Sequence, residues 1–106
     1  MTNILDYIHE NPELINMIVY LKPYLSTLSR ENDEELNRKF VDLVYDGKWI
    51  ELDKLIYPKM NEDEKDRLSQ GILVNAKKTV ERIIAVKKIS KIVFMKIVEY
   101  ALKGIV

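Results

Sequence analysis

The sequence predicts an all-α protein, a small bundle of about five or six helices. Glycine and proline number three each in 106 residues, and so few helix-breaking residues favour long helices. Apolar residues recur at spacings of three and four through most of the chain, as the buried face of a helix requires. The composition, 47% hydrophobic and 32% charged, is globular, and the length predicts a single helical domain, residues 1–106.

Short helices are expected at the N-terminus. Residues 3–10 fit one short helix, with Asn3 or Thr2 as its N-cap. Asn11 and Pro12 fit the N-cap and first position of a second helix, which begins a broad apolar face. Because proline lacks a backbone donor and clashes with the preceding turn, Pro23 predicts a kink or an end of this helix near residues 21–22.

The polar residues 29–33 read as a loop, with Asn32 or Asp33 as the N-cap of a third helix. Gly47 fits the left-handed position after its last turn. The core-facing residues of this helix are expected to be Leu36, Phe40, Leu43 and Val44.

The pair Asp46-Gly47 also fits a type I′ hairpin turn between strands at 41–45 and 49–52. Helical spacing explains the apolar positions more completely, so we favour a fourth helix from Lys48 to about Tyr57, ended by Pro58.

The longest predicted element spans residues 61–104, and the N-terminal helices are expected to pack on it. Asn61 and Glu64 resemble a capping box. The apolar stripe falters at residues 87–90. Either Ser90 caps a separate helix after a break near 88–90, which we favour, or one helix continues with a polar notch. The stripe before the break consists of Leu68, Ile72, Ala76, Val80 and Ile83.

Several chemistries are not expected. The chain has no cysteine, so thiol catalysis and Cys-ligated metals are excluded. Its one histidine, His9, has no obvious partner, and no Ser-His or Cys-His nucleophilic pair is suggested. Acidic clusters at 31–35 and 62–66 lie where helices begin, and there is no glycine-rich phosphate loop. We therefore expect no catalytic residues, metal, cofactor or small-molecule ligand, and no enzyme activity.

The net charge of zero conceals a strong asymmetry. Residues 1–66 contain 15 acidic and 8 basic residues, whereas residues 67–106 contain 2 acidic and 9 basic residues. Such a division indicates a charged partner or two halves that meet each other. The candidate nucleic-acid-binding residues are Lys77, Lys78, Arg82, Lys87, Lys88 and Lys91.

This basic set supports the alternative function, a small regulatory protein associated with DNA or RNA. The competing interpretation is a solvated face, or a face that attracts the acidic half. It is favoured because the positions spread over a wide arc and Arg82 is the set's one arginine.

The preferred function is a non-enzymatic interaction or accessory protein that acts through helix–helix contacts, as a homodimer or as a subunit of a larger complex. Its motivation is a wide apolar arc after Ile83, more than one core stripe needs. A membrane-surface role for residues 87–106 is not favoured, and a cytoplasmic location is expected because signal-peptide and membrane-spanning patterns are not recognised. The candidate protein interface comprises Val93, Phe94, Ile97, Val98, Ala101 and Leu102.

Overall fold

A computed structural model describes residues 3–70 and 73–104. These residues form α-helices and one 3₁₀-helix, at Tyr57–Lys59, and contain no strand. The all-α class is confirmed, and the hairpin alternative at residues 46–47 is wrong. The described residues form seven α-helices, more than the five or six predicted. The α-helices are α1 (Ile4–Glu10), α2 (Pro12–Glu31), α3 (Glu34–Tyr45), α4 (Trp49–Ile56), α5 (Glu62–Ser69), α6 (Leu73–Val86) and α7 (Lys91–Leu102).

Local capping residues define most helix starts. The Asn3 side chain accepts a hydrogen bond from the backbone N–H of Asp6 at 2.9 Å. Asp33 and Ser90 do the same at the starts of α3 and α7. Each cap satisfies a backbone donor that has no partner within the helix. The helix starts predicted at these positions are confirmed. They could be predicted because each capping side chain bonds a backbone N–H within three residues of itself.

Asn61 and Glu64 form the predicted capping box. The Asn61 side chain accepts from the Glu64 N–H at 2.9 Å, and the Glu64 carboxylate accepts from the Asn61 N–H at 2.8 Å. Asn11 behaves differently, because its side chain makes no capping bond to α2. Its amide nitrogen donates to the Tyr7 carbonyl at 2.9 Å, which ties the end of α1 to the start of α2.

Gly47 ends α3 as predicted. Its φ is +71°, a conformation that costs residues with a Cβ atom about 1–2 kcal/mol. The Gly47 N–H bonds the Val44 carbonyl at 3.0 Å, and the Lys48 N–H bonds the Leu43 carbonyl at 2.8 Å. These two bonds form a Schellman motif, which turns the chain directly into α4.

Helix α2 does not end near residues 21–22, so the predicted end at this position is wrong. It continues through Pro23 to Glu31, and the first half of the predicted loop at 29–33 is therefore helical. An interior proline costs a helix about 3 kcal/mol. Burial of a single leucine-sized side chain gives about 1.5–3 kcal/mol, and Tyr24, Leu25 and Leu28 are all buried beyond the proline.

The predicted element at 61–104 is not one scaffold but the three helices α5, α6 and α7. The break near 88–90 is confirmed. Lys88 has a φ of +53°, and the Ile89 N–H bonds the Ile84 carbonyl at 3.0 Å in a second Schellman motif. The separation of α5 from α6 was not predicted. Ile72 of the predicted stripe lies outside the described residues.

Helix α2 is the centre of the fold. Helices α1, α5, α6 and α7 pack against it, and α3 packs against α4, α6 and α7. The expected arrangement, with short N-terminal helices on a long C-terminal element, is therefore wrong. Tyr24 lies fully buried in the core, with its ring centroid 5.9 Å from that of Phe40 and 6.5 Å from that of the partly buried Trp49.

Arg30 and Glu64 fasten α5 to the end of α2. An Arg30 guanidinium nitrogen donates to Glu64 at 2.7 Å and to the Lys59 carbonyl at 2.8 Å. Burial by itself raises the pKa of Glu64, but hydrogen bonds from Arg30, the Asn61 backbone and Thr27 lower it to about 2. The carboxylate is thus ionised in the fold although it is only 2% exposed.

We expect Gly47→Ala to lower the free energy of unfolding by about 1–2 kcal/mol, because alanine disfavours the positive φ. A Cβ at this position would also lie 3.0 Å from Glu81 Oε1. Gly104→Ala is the matched control, since Gly104 has a φ of +72° with open space around it. Urea unfolding of both variants measures the two costs, and a larger loss for Gly104→Ala would contradict this account.

We expect Glu64→Gln to lower the free energy of unfolding at neutral pH by roughly 1–3 kcal/mol. The folded-state pKa of Glu64 is depressed from 4.5 to about 2. Its contribution is therefore present above about pH 4.5 and is lost as the pH falls through about 2. Urea unfolding at a series of pH values should show the wild type converging on the variant in this window. Glu62→Gln, at an exposed carboxylate of the same helical turn, should not converge in this way.

Candidate functional site

The predicted basic set divides into two groups in the structure. Lys77, Lys87 and Lys91 contact acidic side chains of the N-terminal half. Lys78, Arg82 and Lys88 are exposed, and within the described residues no ion pair involves them. The structure therefore does not gather the six side chains into one open basic surface.

Lys77 belongs to a polar network that joins α2, α4 and α6. Its Nζ lies 3.0 Å from Asp53 Oδ2, while the Tyr24 hydroxyl donates to Asp53 Oδ1 at 2.6 Å. The Lys77 ammonium also lies 5.7 Å from the centroid of the Trp49 ring. The Trp49 indole N–H donates to Glu81 Oε1 at 2.6 Å, which makes a second bond from α4 to α6.

The polar groups of this network bond to one another, as is typical of a cluster that stabilises a fold. Burial, followed by the hydrogen bond and charge of Asp53, raises the pKa of Tyr24 far above its ordinary value. The Tyr24 hydroxyl therefore stays protonated and remains a donor. Each polar group is already paired with another, which is what a fold-stabilising cluster in a partly buried place requires.

Lys87 and Lys91 make further contacts between the basic and acidic halves of the chain. Lys87 Nζ donates to Asn11 Oδ1 at 3.1 Å and lies 3.6 Å from a Glu13 carboxylate oxygen. Lys91 Nζ lies 3.3 Å from Asp42 Oδ1 and 3.9 Å from Asp46 Oδ1. The acidic and basic halves of the chain thus meet at several places.

The candidate interface on α7 is largely covered by the chain itself. Phe94, Ile97 and Val98 are buried in the core, so a partner docking on the folded protein does not reach them. Their burial arises because α7 packs against α1, α2 and α3. Val93, Ala101 and Leu102 are only partly buried and remain within reach at their outer edges.

An apolar groove lies between α2 and the C-terminal end of α7. Its volume is about 620 Å³. Ile15 and Val19 of α2 are 42% and 56% exposed beside it. We call this feature the α2/α7 groove. Its lining residues are His9, Ile15, Ile18, Val19, Lys22, Leu25, Ser26, Ser29, Arg30, Ala101, Leu102 and Gly104.

Two lining residues, Ala101 and Leu102, belong to the predicted interface, but the α2 residues were not predicted. A signal existed, because at ~100° per residue Val19 lies about 140° around the helix from the buried Leu14. The apolar face of α2 is therefore wider than the stripe that one helix needs to contact the core. The expected stop at Pro23 concealed it, since the groove depends on α2 continuing past that residue.

His9 is exposed near the end of α1. Across residues 3–70 and 73–104, no three His, Cys, Asp or Glu side chains cluster so that they could hold a metal ion. The same residues include no helix long and apolar enough to cross a bilayer.

Comparisons with protein-family models, with curated proteins and with solved structures found no match to this chain.

We expect Lys77→Ala to lower the free energy of unfolding by about 1 kcal/mol, because it removes the partner of Asp53 and the cation over Trp49. The neighbouring substitution Lys78→Ala is the control and should stay within about 0.5 kcal/mol of the wild type. Thermal and urea unfolding of the two variants test this. Equal losses would show that Lys77 does no more than an ordinary surface lysine.

Proposed function

We propose that this protein is a non-enzymatic accessory subunit that binds a protein partner through helix–helix contacts. The α2/α7 groove is the proposed contact surface. The observation that carries the proposal is the exposure of Ile15 and Val19 beside a groove whose floor is also apolar. Exposed apolar surface that surrounds a concavity is typical of binding sites.

The position of the groove supports this choice. Helix α2 is held by four other helices, so its exposed face is presented on a rigid support. A rigid surface loses little conformational entropy on binding, and more of the contact energy is retained as affinity. Helix-in-groove docking uses apolar anchors at helical spacing, which Ile15, Val19 and Leu102 are able to receive.

The nucleic-acid alternative has weaker support. Three of its six residues, Lys77, Lys87 and Lys91, already neutralise carboxylates of the same chain. Breaking those pairs would offset the gain from contacting phosphates. Lys78, Arg82 and Lys88 remain as its candidates. Salt-dependent binding to random duplex DNA that is lost on reversing their charges would favour it over the present proposal.

Chemical cross-linking in the source cells tests the proposal. A tagged full-length chain should form lysine cross-links to a second polypeptide from Lys22, which borders the groove, more often than from Lys54 on α4. Val19→Glu should reduce these cross-links about tenfold, because a charged side chain then replaces an apolar one at the lining of the α2/α7 groove. Ile50→Glu changes an apolar residue elsewhere that is more exposed than Val19 and should leave them unchanged. Cross-links that survive Val19→Glu would contradict the proposed surface.

A further inference from the structure

The α2/α7 groove has a one-sided charge. Its lining includes the cationic side chains of Lys22 and Arg30, and no carboxylate among the described residues. Arg30 is already paired with Glu64 at 2.7 Å. Lys22 is exposed and, within the described residues, has no ion pair. It is therefore the main cation that the groove offers to a partner.

This charge is specific to the groove and not a general property of the surface. A neighbouring groove of about 470 Å³, between the end of α2, α3 and α7, is lined by both signs, with Glu34 and Glu99 beside Arg38 and Lys103. Glu34 and Glu99 thus border the neighbouring groove, whereas no described carboxylate lines the α2/α7 groove.

We infer that the α2/α7 groove binds an amphipathic helix of a partner protein that carries carboxylates beside its apolar anchors; this inference rests on the proposed function. The partner's apolar residues pack on Ile15, Ile18 and Val19, and its Asp or Glu side chains face Lys22. Complementary charge at such a rim increases the association rate and selects against basic partners.

A second copy of this chain does not match this chemistry. In a two-fold dimer the same patch comes from both protomers. Lys22 would then approach the cations of an identical groove, which itself supplies no carboxylate. An anionic membrane would match the charge, but the apolar lining is concave and extends to Leu25, which is only 7% exposed at its floor. A projecting side chain enters such a groove more readily than a flat bilayer does.

A display library of ~16-residue helical peptides provides the test. Leucine is fixed at helical spacing, and Glu, Lys, Gln and Ser are allowed with equal frequency at all remaining positions. The library is selected on the full-length chain. Enriched peptides should carry a net negative charge, and their affinity should fall as salt rises from about 0.05 M to about 0.5 M.

Matched variants locate the binding. Val19→Glu should weaken the enriched peptides about tenfold and Lys22→Glu about threefold. Ile50→Glu and Lys54→Glu, a corresponding exposed pair on α4, should leave affinity unchanged. Circular dichroism confirms that each variant is folded, which is expected because these side chains are exposed.

The outcomes separate this inference from the proposed function. Neutral or basic peptides that are sensitive to Val19→Glu would overturn the acidic partner and leave the proposed function intact. Enriched peptides that are insensitive to Val19→Glu, together with cross-links that survive this substitution, would overturn both. A dimer by light scattering that Val19→Glu converts to monomer would assign the groove to a second copy. Sedimentation with phosphatidylserine vesicles that Val19→Glu abolishes, without acidic peptides being enriched, would assign it to a membrane.

Discussion

The continuity of α2 across Pro23 is the constraint on which the rest of the fold depends. Four helices pack on α2, and its buried residues lie on both sides of the proline, with Leu14 and Leu21 before it and Tyr24 and Leu28 after it. A break would divide this surface, and the helices could not share one core. The proline is tolerated because the apolar area buried beyond it outweighs one missing hydrogen bond.

Ion pairs near the surface also connect the helices of this arrangement. The acidic and basic halves meet through Lys77 with Asp53, Lys87 with Glu13 and Lys91 with Asp42. Ion pairs at or near the surface contribute little singly, about 0–1 kcal/mol. Their value here is positional, since each joins elements that are far apart in the sequence. Part of the lopsided charge distribution is thus accounted for by contacts within the molecule, which weakens the inference that it points to nucleic acid.

The proposed binding surface and the core share one helix. One face of α2 is buried against its neighbours, while Ile15, Val19 and Lys22 on another face border the groove completed by α7. The rigidity that the core gives to α2 makes this second face suitable for binding. Replacing these exposed residues disturbs few internal contacts, so the proposed function is separable from stability by mutation.

Several helix boundaries followed from local sequence, because Asp33, Gly47, the Asn61–Glu64 box and Ser90 act on backbone groups within a few residues of themselves. The predicted end of α2 at Pro23 was wrong because whether a helix continues through a proline depends on tertiary packing. The residues beyond Pro23 are buried against parts of the chain that are distant in sequence. The pairing of Lys77 with Asp53 and the covering of Phe94 likewise required tertiary contacts. So did the groove, because periodicity shows that a helix face is apolar, and only packing decides which part of that face stays exposed.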